Sequence, residues 1–184
     1  MEICLNAKKV LGECLANNLG LEKYAYIMKN FQSINISKDE CFQKTYNSFY
    51  KVRRDADWRK IYYNLFENLK TKQISFEDVI TYLYKKTGNV EASFSSKMLA
   101  TIFPEKPIWD HHVLKNLGFC IKTGDCRERL RESVSIYTGI EDWYKDYLDT
   151  NNALKSIRCF DNYLPAYSWI SNTKKIDFLL WEKR

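Results

Sequence analysis

Apolar residues recur at every third or fourth position along most of the chain, which is the spacing of one buried face of an α-helix. The segment from Trp58 to Leu69 follows this spacing, and so does the beginning of the chain, through Ile3, Ala7, Val10, Leu11 and Cys14. Alternation of apolar and polar residues, which is typical of strands, is scarce. The pattern therefore predicts an all-α protein.

Residues that cap helices sharpen the boundaries of these runs. Ser75 with Asp78 forms a capping box before one run, and Gly88 ends it. Thr138 with Glu141 repeats the capping pattern and predicts a break within a longer run. We place helices near residues 3–17, 20–32, 38–51, 56–70, 75–87, 93–103, 110–117, 125–152 in two pieces, and 173–182.

Length, composition and charge narrow the class of protein. The 184 residues contain no linker-like tract, so we expect a single α-helical domain over residues 1–184, built at most as two lobes. No apolar run reaches the roughly 18 residues of a membrane span, and the start lacks an export leader. We therefore expect a cytoplasmic protein without a membrane partner. Its net charge of +6 suits an anionic partner such as nucleic acid.

Basic residues cluster between Lys51 and Lys60, a stretch that holds five basic and two acidic residues. The stretch is interpreted either as the solvated start of a helix or as a surface that contacts phosphates. In the second interpretation the contacting side chains are those of Arg53, Arg54, Arg59 and Lys60.

The cysteines and histidines give little support to a metal site. Two adjacent histidines, His111 and His112, point to different faces of a helix, so no metal or cofactor is expected. The cysteines lack a C-x-x-C pair and are predicted to be buried free thiols. They are Cys4, Cys14, Cys41, Cys120, Cys126 and Cys159.

The stretch SSKMLATIFPEKPIWDHHV places a lysine inside an apolar helical run and an aspartate after a turn bracketed by prolines. Proline cannot continue a helix, so the helix of Lys97 should end near Phe103. The helix is about 9 Å long from Lys97 to Phe103, and the segment from Pro104 to Asp110 can span about 20 Å when extended. That segment is long enough to run back along the helix, so the two charges can come together.

Three interpretations of this pair follow. Asp110 can be the N-cap of the helix HHVLKNL, which Gly118 ends, with Lys97 exposed. The two can instead form a salt bridge, which contributes about 0 to 1 kcal/mol at a surface. Alternatively, burial lowers the pKa of the Lys97 amine so that it acts as a nucleophile, and Asp110 stabilises positive charge on the substrate.

The segment PIWDHHVLKNLG resembles helix-hairpin-helix DNA glycosylases, in which a proline, an apolar residue and D-x-H-V precede a helix ending in L-G. Asp110, His112 and Val113 fill the D-x-H-V positions, and Lys97 stands where lysine-bearing members carry the catalytic lysine. The resemblance covers residues 90–119. The gap from Lys97 to Asp110 is shorter than usual, as in divergent relatives resembling the 8-oxoguanine glycosylase branch.

The hairpin and the metal loop depart from the family pattern. The family's L-P-G-V-G-x-K hairpin is replaced by TGNVEASFSSK, and the four-cysteine cluster of iron–sulfur members is missing. Backbone N–H groups at the start of the Lys97 helix, with Ser93, Ser95 and Ser96, are expected to bind a DNA phosphate in place of the hairpin glycines.

The resemblance implies a two-lobed helical fold with the active-site cleft between the lobes. It implies that Lys97 attacks C1′ of an everted nucleotide while Asp110 stabilises the sugar cation, with strand cleavage following from a Schiff base. The expected partner is double-stranded DNA with a damaged or modified base, bound by a monomeric, nucleoid-associated enzyme.

Four residues are predicted to line the base pocket: Trp109, His112, Asp177 and Trp181. For Trp109 the alternative is a core position, and for Asp177 a surface position on the last helix.

Two other functions stay open. The enzyme can remove a bulky phage-specific base, such as glucosylated hydroxymethylcytosine, instead of repairing host DNA. A non-catalytic DNA-binding or protein-interaction module is the alternative from a different class, and exposure of Lys97 would favour it.

Overall fold

The computed structural model describes residues 20–120 and 124–182, and within these ranges it contains α-helices, one 3₁₀ turn and no strand. The prediction of an all-α protein is confirmed for this part of the chain. The helix predicted over residues 3–17 lies outside the described residues.

The described residues form two compact units. The first unit, residues 20–102, contains α1 (Leu21–Asn30), α2 (Glu40–Tyr50), α3 (Ala56–Leu69), α4 (Phe76–Thr87) and α5 (Ala92–Ile102). The second unit, described from residue 103 onward, contains α6 (His111–Leu117), α7 (Cys126–Leu148), α8 (Asn151–Tyr163), a 3₁₀ turn (Pro165–Tyr167) and α9 (Asn172–Glu182).

Capping residues define the helix ends much as the sequence predicts. Ser75 and Asp78 form the predicted capping box of α4, in which each side chain bonds to the other residue's backbone N–H. Gly88 and Gly118 end α4 and α6 at φ values of 71° and 75°, a left-handed conformation that glycine adopts without strain.

The predicted break between residues 125 and 152 is wrong in its position. Helix α7 runs unbroken past Thr138, whose hydroxyl donates to the Val134 carbonyl 3.1 Å away and caps nothing. The chain breaks instead at Thr150, whose side chain accepts a hydrogen bond from the Ala153 N–H and begins α8. The sequence prediction does not include α8.

One helix in each unit is buried around most of its circumference. In α5 every residue from Ser95 to Ile102 is buried, and in α9 every residue from Thr173 to Leu180 is buried. Such helices are usually apolar on all sides. Both helices nevertheless carry lysine, Lys97 in α5 and Lys174 with Lys175 in α9.

Tyrosines and phenylalanines surround α5 within the first unit. Tyr62 on α3 donates a hydrogen bond to the Phe94 carbonyl at 3.0 Å, and because that proton is used, Tyr46 on α2 donates to Tyr62 at 2.9 Å. This chain of phenols connects α2, α3 and α5. The largest fully buried rings of the unit are Tyr24, Phe42, Tyr46, Tyr50, Tyr62, Tyr63 and Phe66.

The prediction of buried thiols is wrong for the described cysteines. Cys41, Cys120 and Cys126 are exposed and Cys159 is half-buried, although all four are free. Cysteine is small enough to stand at the polar edge of a helical face, so apolar neighbours in sequence do not fix its burial. Cys4 and Cys14 lie outside the described residues.

The two threonines of the 125–152 segment provide a direct test of its helix boundaries. Thr150→Ala should lower the free energy of unfolding by about 1 kcal/mol because it removes the cap of α8. Thr138→Ala, the same change on the exposed middle of α7, should alter it by less than about 0.5 kcal/mol. Urea unfolding of both variants measures the difference, and equal losses would contradict the boundary at Thr150.

Candidate active site

Lys97 is buried in the first unit, with only 6% of its surface exposed. Its ammonium nitrogen donates to Ser93 Oγ at 2.9 Å, one helical turn earlier, and lies 5.4 Å from the centroid of the Phe94 ring. The interpretation of Lys97 as an exposed helix residue is therefore wrong. A hydroxyl can accept from a charged amine and donate to a neutral one, so the Ser93 contact suits both protonation states.

The Phe94 ring also contacts a second cation. The Arg54 guanidinium carbon lies 5.4 Å from the centroid of Phe94 and 5.5 Å from that of Trp58. Glu91, which is 4% exposed, fixes this arrangement because it pairs with Arg54 at 2.7 Å and accepts from Trp58 Nε1 at 3.1 Å. Arginine and lysine thus approach one aromatic ring beside the start of α5.

The structure argues against a phosphate site at the N-terminus of α5. Ser95 and Ser96 are fully buried, and their hydroxyls donate to the carbonyls of Glu91 and Ser93. Glu91 also places a carboxylate directly before the helix, where a phosphate would need to bind. Ser93 alone of the three serines stays partly exposed, and its hydroxyl bonds to Lys97.

Asp110 belongs to the second unit and caps α6, as the first interpretation predicts. Its carboxylate accepts from the His112 N–H at 2.9 Å, and its side chain is half-exposed. His112 is half-buried and His111 exposed, with their rings at an interplanar angle of 70°. The two imidazoles do point in different directions, and Asp110 has a fixed and accessible carboxylate.

The segment that leads to Asp110 is held by side chains of the same unit. Tyr137 on α7 donates to the Pro107 carbonyl at 2.8 Å, and Ser171 before α9 donates to the Pro104 carbonyl at 2.5 Å. These two contacts hold the backbone between Pro104 and Pro107.

Asp177 is fully buried, so its interpretation as a surface residue is wrong. Tyr144 donates to its Oδ1 at 2.5 Å, and Lys174 Nζ lies 3.6 Å from its Oδ2. Burial raises the pKa of Asp177 to about 6, against the opposing influence of Lys174 and its hydrogen-bond donors. The carboxylate is enclosed by protein groups, which leaves it poorly placed to hydrogen-bond a base.

The two predicted tryptophans differ in accessibility. Trp109 is 4% exposed, so its ring offers little surface on which a base could stack, as expected of the core alternative. Trp181 is half-buried, and the Lys174 ammonium lies 5.5 Å from its centroid. Glu91, Tyr144 and Lys174 were not predicted from the sequence. For Glu91 and Lys174 the available signal was a charged residue next to apolar positions.

The predicted phosphate-contacting residues also differ. Arg53 and Lys60 are exposed, whereas Arg59 is half-buried and Arg54 is committed to Glu91 with 38% of its side chain exposed. A surface pocket of about 710 Å³ in the second unit contains none of the predicted site residues. Its wall includes Lys106, Glu141, Lys145, Ser171, Thr173 and Lys175.

Comparison of the chain with protein-family models, curated proteins and solved structures finds no match. No helix in the described ranges combines the length and apolar character that a bilayer crossing requires. Within the same ranges, no three His, Cys, Asp or Glu side chains come together in a way that could hold a metal ion.

Burial of Asp177 predicts a stability that depends on pH. The unfolded chain releases this proton near pH 3.8 and the folded chain near pH 6, so the native protein loses stability as pH rises between these values. Relative to the native protein, Asp177→Asn should gain about 2 kcal/mol in unfolding free energy between pH 4 and pH 7. Urea unfolding across this range measures the gain.

The exposed Asp146 provides the control for this measurement, because Asp146→Asn makes the same change in solvent. A difference between the native protein and Asp177→Asn that stays constant with pH would contradict the raised pKa.

Proposed function

We propose that the chain is a DNA glycosylase that excises a damaged or modified base, with Lys97 as nucleophile and Asp110 stabilising the sugar cation. The neutral Lys97 amine attacks C1′, the C1′–N bond breaks, and its electron pair leaves with the base. The attached amine then loses its proton as the sugar ring opens to a Schiff base. Loss of a C2′ proton with departure of the 3′ phosphate gives strand cleavage as a second activity.

The burial of Lys97 is the observation that carries this proposal. Lysine is rarely buried without a specific role, and removal from water disfavours its charged form. The Lys97 amine donates to the Ser93 hydroxyl, and the Phe94 ring that it approaches is also approached by the Arg54 guanidinium.

Asp110 supports the proposal through its placement. The carboxylate is anchored by the His112 N–H at the start of α6, so its direction is fixed before substrate binds. Since the side chain is half-exposed, it can still contact a ligand. Negative charge placed where positive charge develops on the sugar lowers the barrier to cleavage of the glycosidic bond.

Trapping with borohydride tests the nucleophile directly. Incubation of the native protein with DNA containing the correct base should give a covalent adduct, because borohydride reduces the Schiff base to a stable amine. Lys97→Gln should form no adduct and should excise the base at least about a hundredfold more slowly. Lys86→Gln, which alters an exposed lysine of the same unit, should retain both.

Full excision by Lys97→Gln would reject the nucleophile role. Asp110→Asn should preserve the cap of α6 and DNA binding but lower the single-turnover rate about a hundredfold.

Mass spectrometry of the bases released from a panel of modified DNAs identifies the substrate. Release of glucosylated hydroxymethylcytosine would assign the enzyme to phage defence, and DNA binding without any released base would favour the non-catalytic module.

Binding to DNA should depend on salt through the exposed basic residues. Arg53→Ala and Lys60→Ala should each reduce the slope of log affinity against log salt concentration by about one, because each removes one phosphate contact. Lys44→Ala is the control, since this exposed lysine already pairs with Glu40. Fluorescence anisotropy at several salt concentrations measures the slopes; unchanged slopes would exclude these residues from the interface.

A further inference from the structure

The surface pocket of about 710 Å³ in the second unit includes the beginning of α9 in its wall, through Ser171, Asn172 and Thr173. Ser171 caps this helix, because its hydroxyl accepts from the Lys174 N–H at 3.2 Å and its carbonyl accepts from the Lys175 N–H at 3.0 Å. A helix leaves its first N–H groups without partners in the helix. Those of Asn172 and Thr173 have no acceptor among the residues that the structure describes, so they are available to a ligand.

Thr173 adds a side-chain donor at the same place. The residue is buried, with 4% of its surface exposed, and it belongs to the pocket wall. Its hydroxyl makes no hydrogen bond to any other residue in the described ranges. Polar side-chain atoms of buried residues usually have a partner, and in a pocket wall a ligand can be that partner.

The positive charges around the pocket divide into paired and unpaired groups. Lys106 pairs with Glu141 at 2.7 Å, and Lys175 pairs with Asp161 at 2.7 Å. Lys145 on α7 is exposed in the pocket wall and forms no ion pair with a described residue. The N-terminus of a helix attracts anions through its free N–H groups and its dipole, and Lys145 adds a full positive charge. The pocket therefore favours an anionic group beside α9.

Two carboxylates limit how much negative charge the pocket accepts. Glu105 and Asp142 are exposed and lie in its wall. An ionised carboxylate repels a second anion but accepts hydrogen bonds from hydroxyl and amino groups. The volume is also that of a pocket for a small molecule, and far exceeds what one phosphate fills. A fitting ligand therefore carries one anionic group and several hydrogen-bond donors.

We propose that this pocket binds a small phosphomonoester, with its phosphate at the N-terminus of α9. The N–H groups of Asn172 and Thr173 and the Thr173 hydroxyl donate to the phosphate oxygens, and Lys145 supplies the counter-charge. Glu105 and Asp142 accept from donors elsewhere on the ligand, such as the hydroxyls of a sugar. The pocket wall contains neither Lys97 nor Asp110, so this site does not depend on the proposed base excision.

An NMR titration of the full chain tests the site, with inorganic phosphate and adenosine monophosphate as probes. The amide signals of Asn172 and Thr173 should shift with both. Adenosine monophosphate should bind at least about tenfold more tightly than phosphate, because its ribose hydroxyls meet the two carboxylates. Adenosine triphosphate should bind no more tightly than the monophosphate, because its additional negative charge meets Glu105 and Asp142.

A proline substitution removes one backbone donor. Asn172→Pro should preserve α9, since proline suits the first helical position and lacks only an N–H group that the helix does not use. It should weaken binding of adenosine monophosphate at least about tenfold, because a hydrogen bond to a charged group is lost. Asn151→Pro is the matched control: it makes the same change at the first position of α8, outside the pocket, and should leave the affinity unchanged.

Side-chain variants test the remaining donors. Thr173→Val removes the hydroxyl at nearly constant shape and should weaken binding about tenfold, whereas Thr173→Ser keeps the hydroxyl and should bind within about threefold of native. Lys145→Gln should weaken binding about threefold, because an exposed charge contributes less. Lys155→Gln alters an exposed lysine outside the pocket and should have no effect.

Unshifted amides of Asn172 and Thr173 at millimolar adenosine monophosphate would overturn the inference, and so would native affinity in Asn172→Pro. If Thr173→Val does not fold, Asn172→Pro still decides. A tenfold loss of affinity for duplex DNA in Asn172→Pro, with small ligands bound equally by variant and native protein, would assign the pocket to the DNA backbone and overturn the inference too. None of these measurements requires base excision, so their outcome is separate from that of the proposed function.

Discussion

Each unit of this structure depends on burying a helix that carries charge. Helices α5 and α9 each bury eight consecutive residues, and their lysines are buried with them. A buried ammonium must meet hydrogen-bond acceptors or aromatic faces, or it would destabilise the fold by several kcal/mol. The hydrogen-bond acceptors and aromatic rings around α5 and α9 largely meet that requirement.

The two helices meet the requirement differently. Lys97 contacts a hydroxyl and a ring, groups that accommodate an amine in either protonation state. Lys174 lies 3.6 Å from the carboxylate of Asp177. The Ser93 hydroxyl and the Phe94 ring are compatible with the nucleophile role proposed for Lys97.

Periodicity and capping chemistry predict most of this fold because they act within a few residues. Ser75, Asp78 and Gly88 bond to their own helix, so their effects are visible in the sequence. Thr138 shows the limit of such signals, because a capping pattern inside a strongly amphipathic run is overridden by continued helix packing. The break that does occur, at Thr150, has an equally short signal followed by apolar residues at helical spacing.

The candidate site was predictable only in part. The cap at Asp110 follows from local pattern, but the burial of Ser95, Ser96, Trp109 and Asp177 depends on helices distant in sequence. A lysine or aspartate in an apolar run has two possible positions, exposed or buried with partners, and some of those partners lie 30 or more residues away, as Tyr144 does from Asp177. Glu91 illustrates this, since Arg54 is 37 residues away in sequence.

The phenolic interior of the first unit has its own chemical consequence. Burial raises the pKa of Tyr46 and Tyr62 well above the usual value of a phenol, because a phenolate there would have no water around it. Neither group can ionise until the packing around it opens. Strong alkali is therefore a denaturant to which this unit is intrinsically sensitive, and the tolerance of the protein to base is determined by its interior.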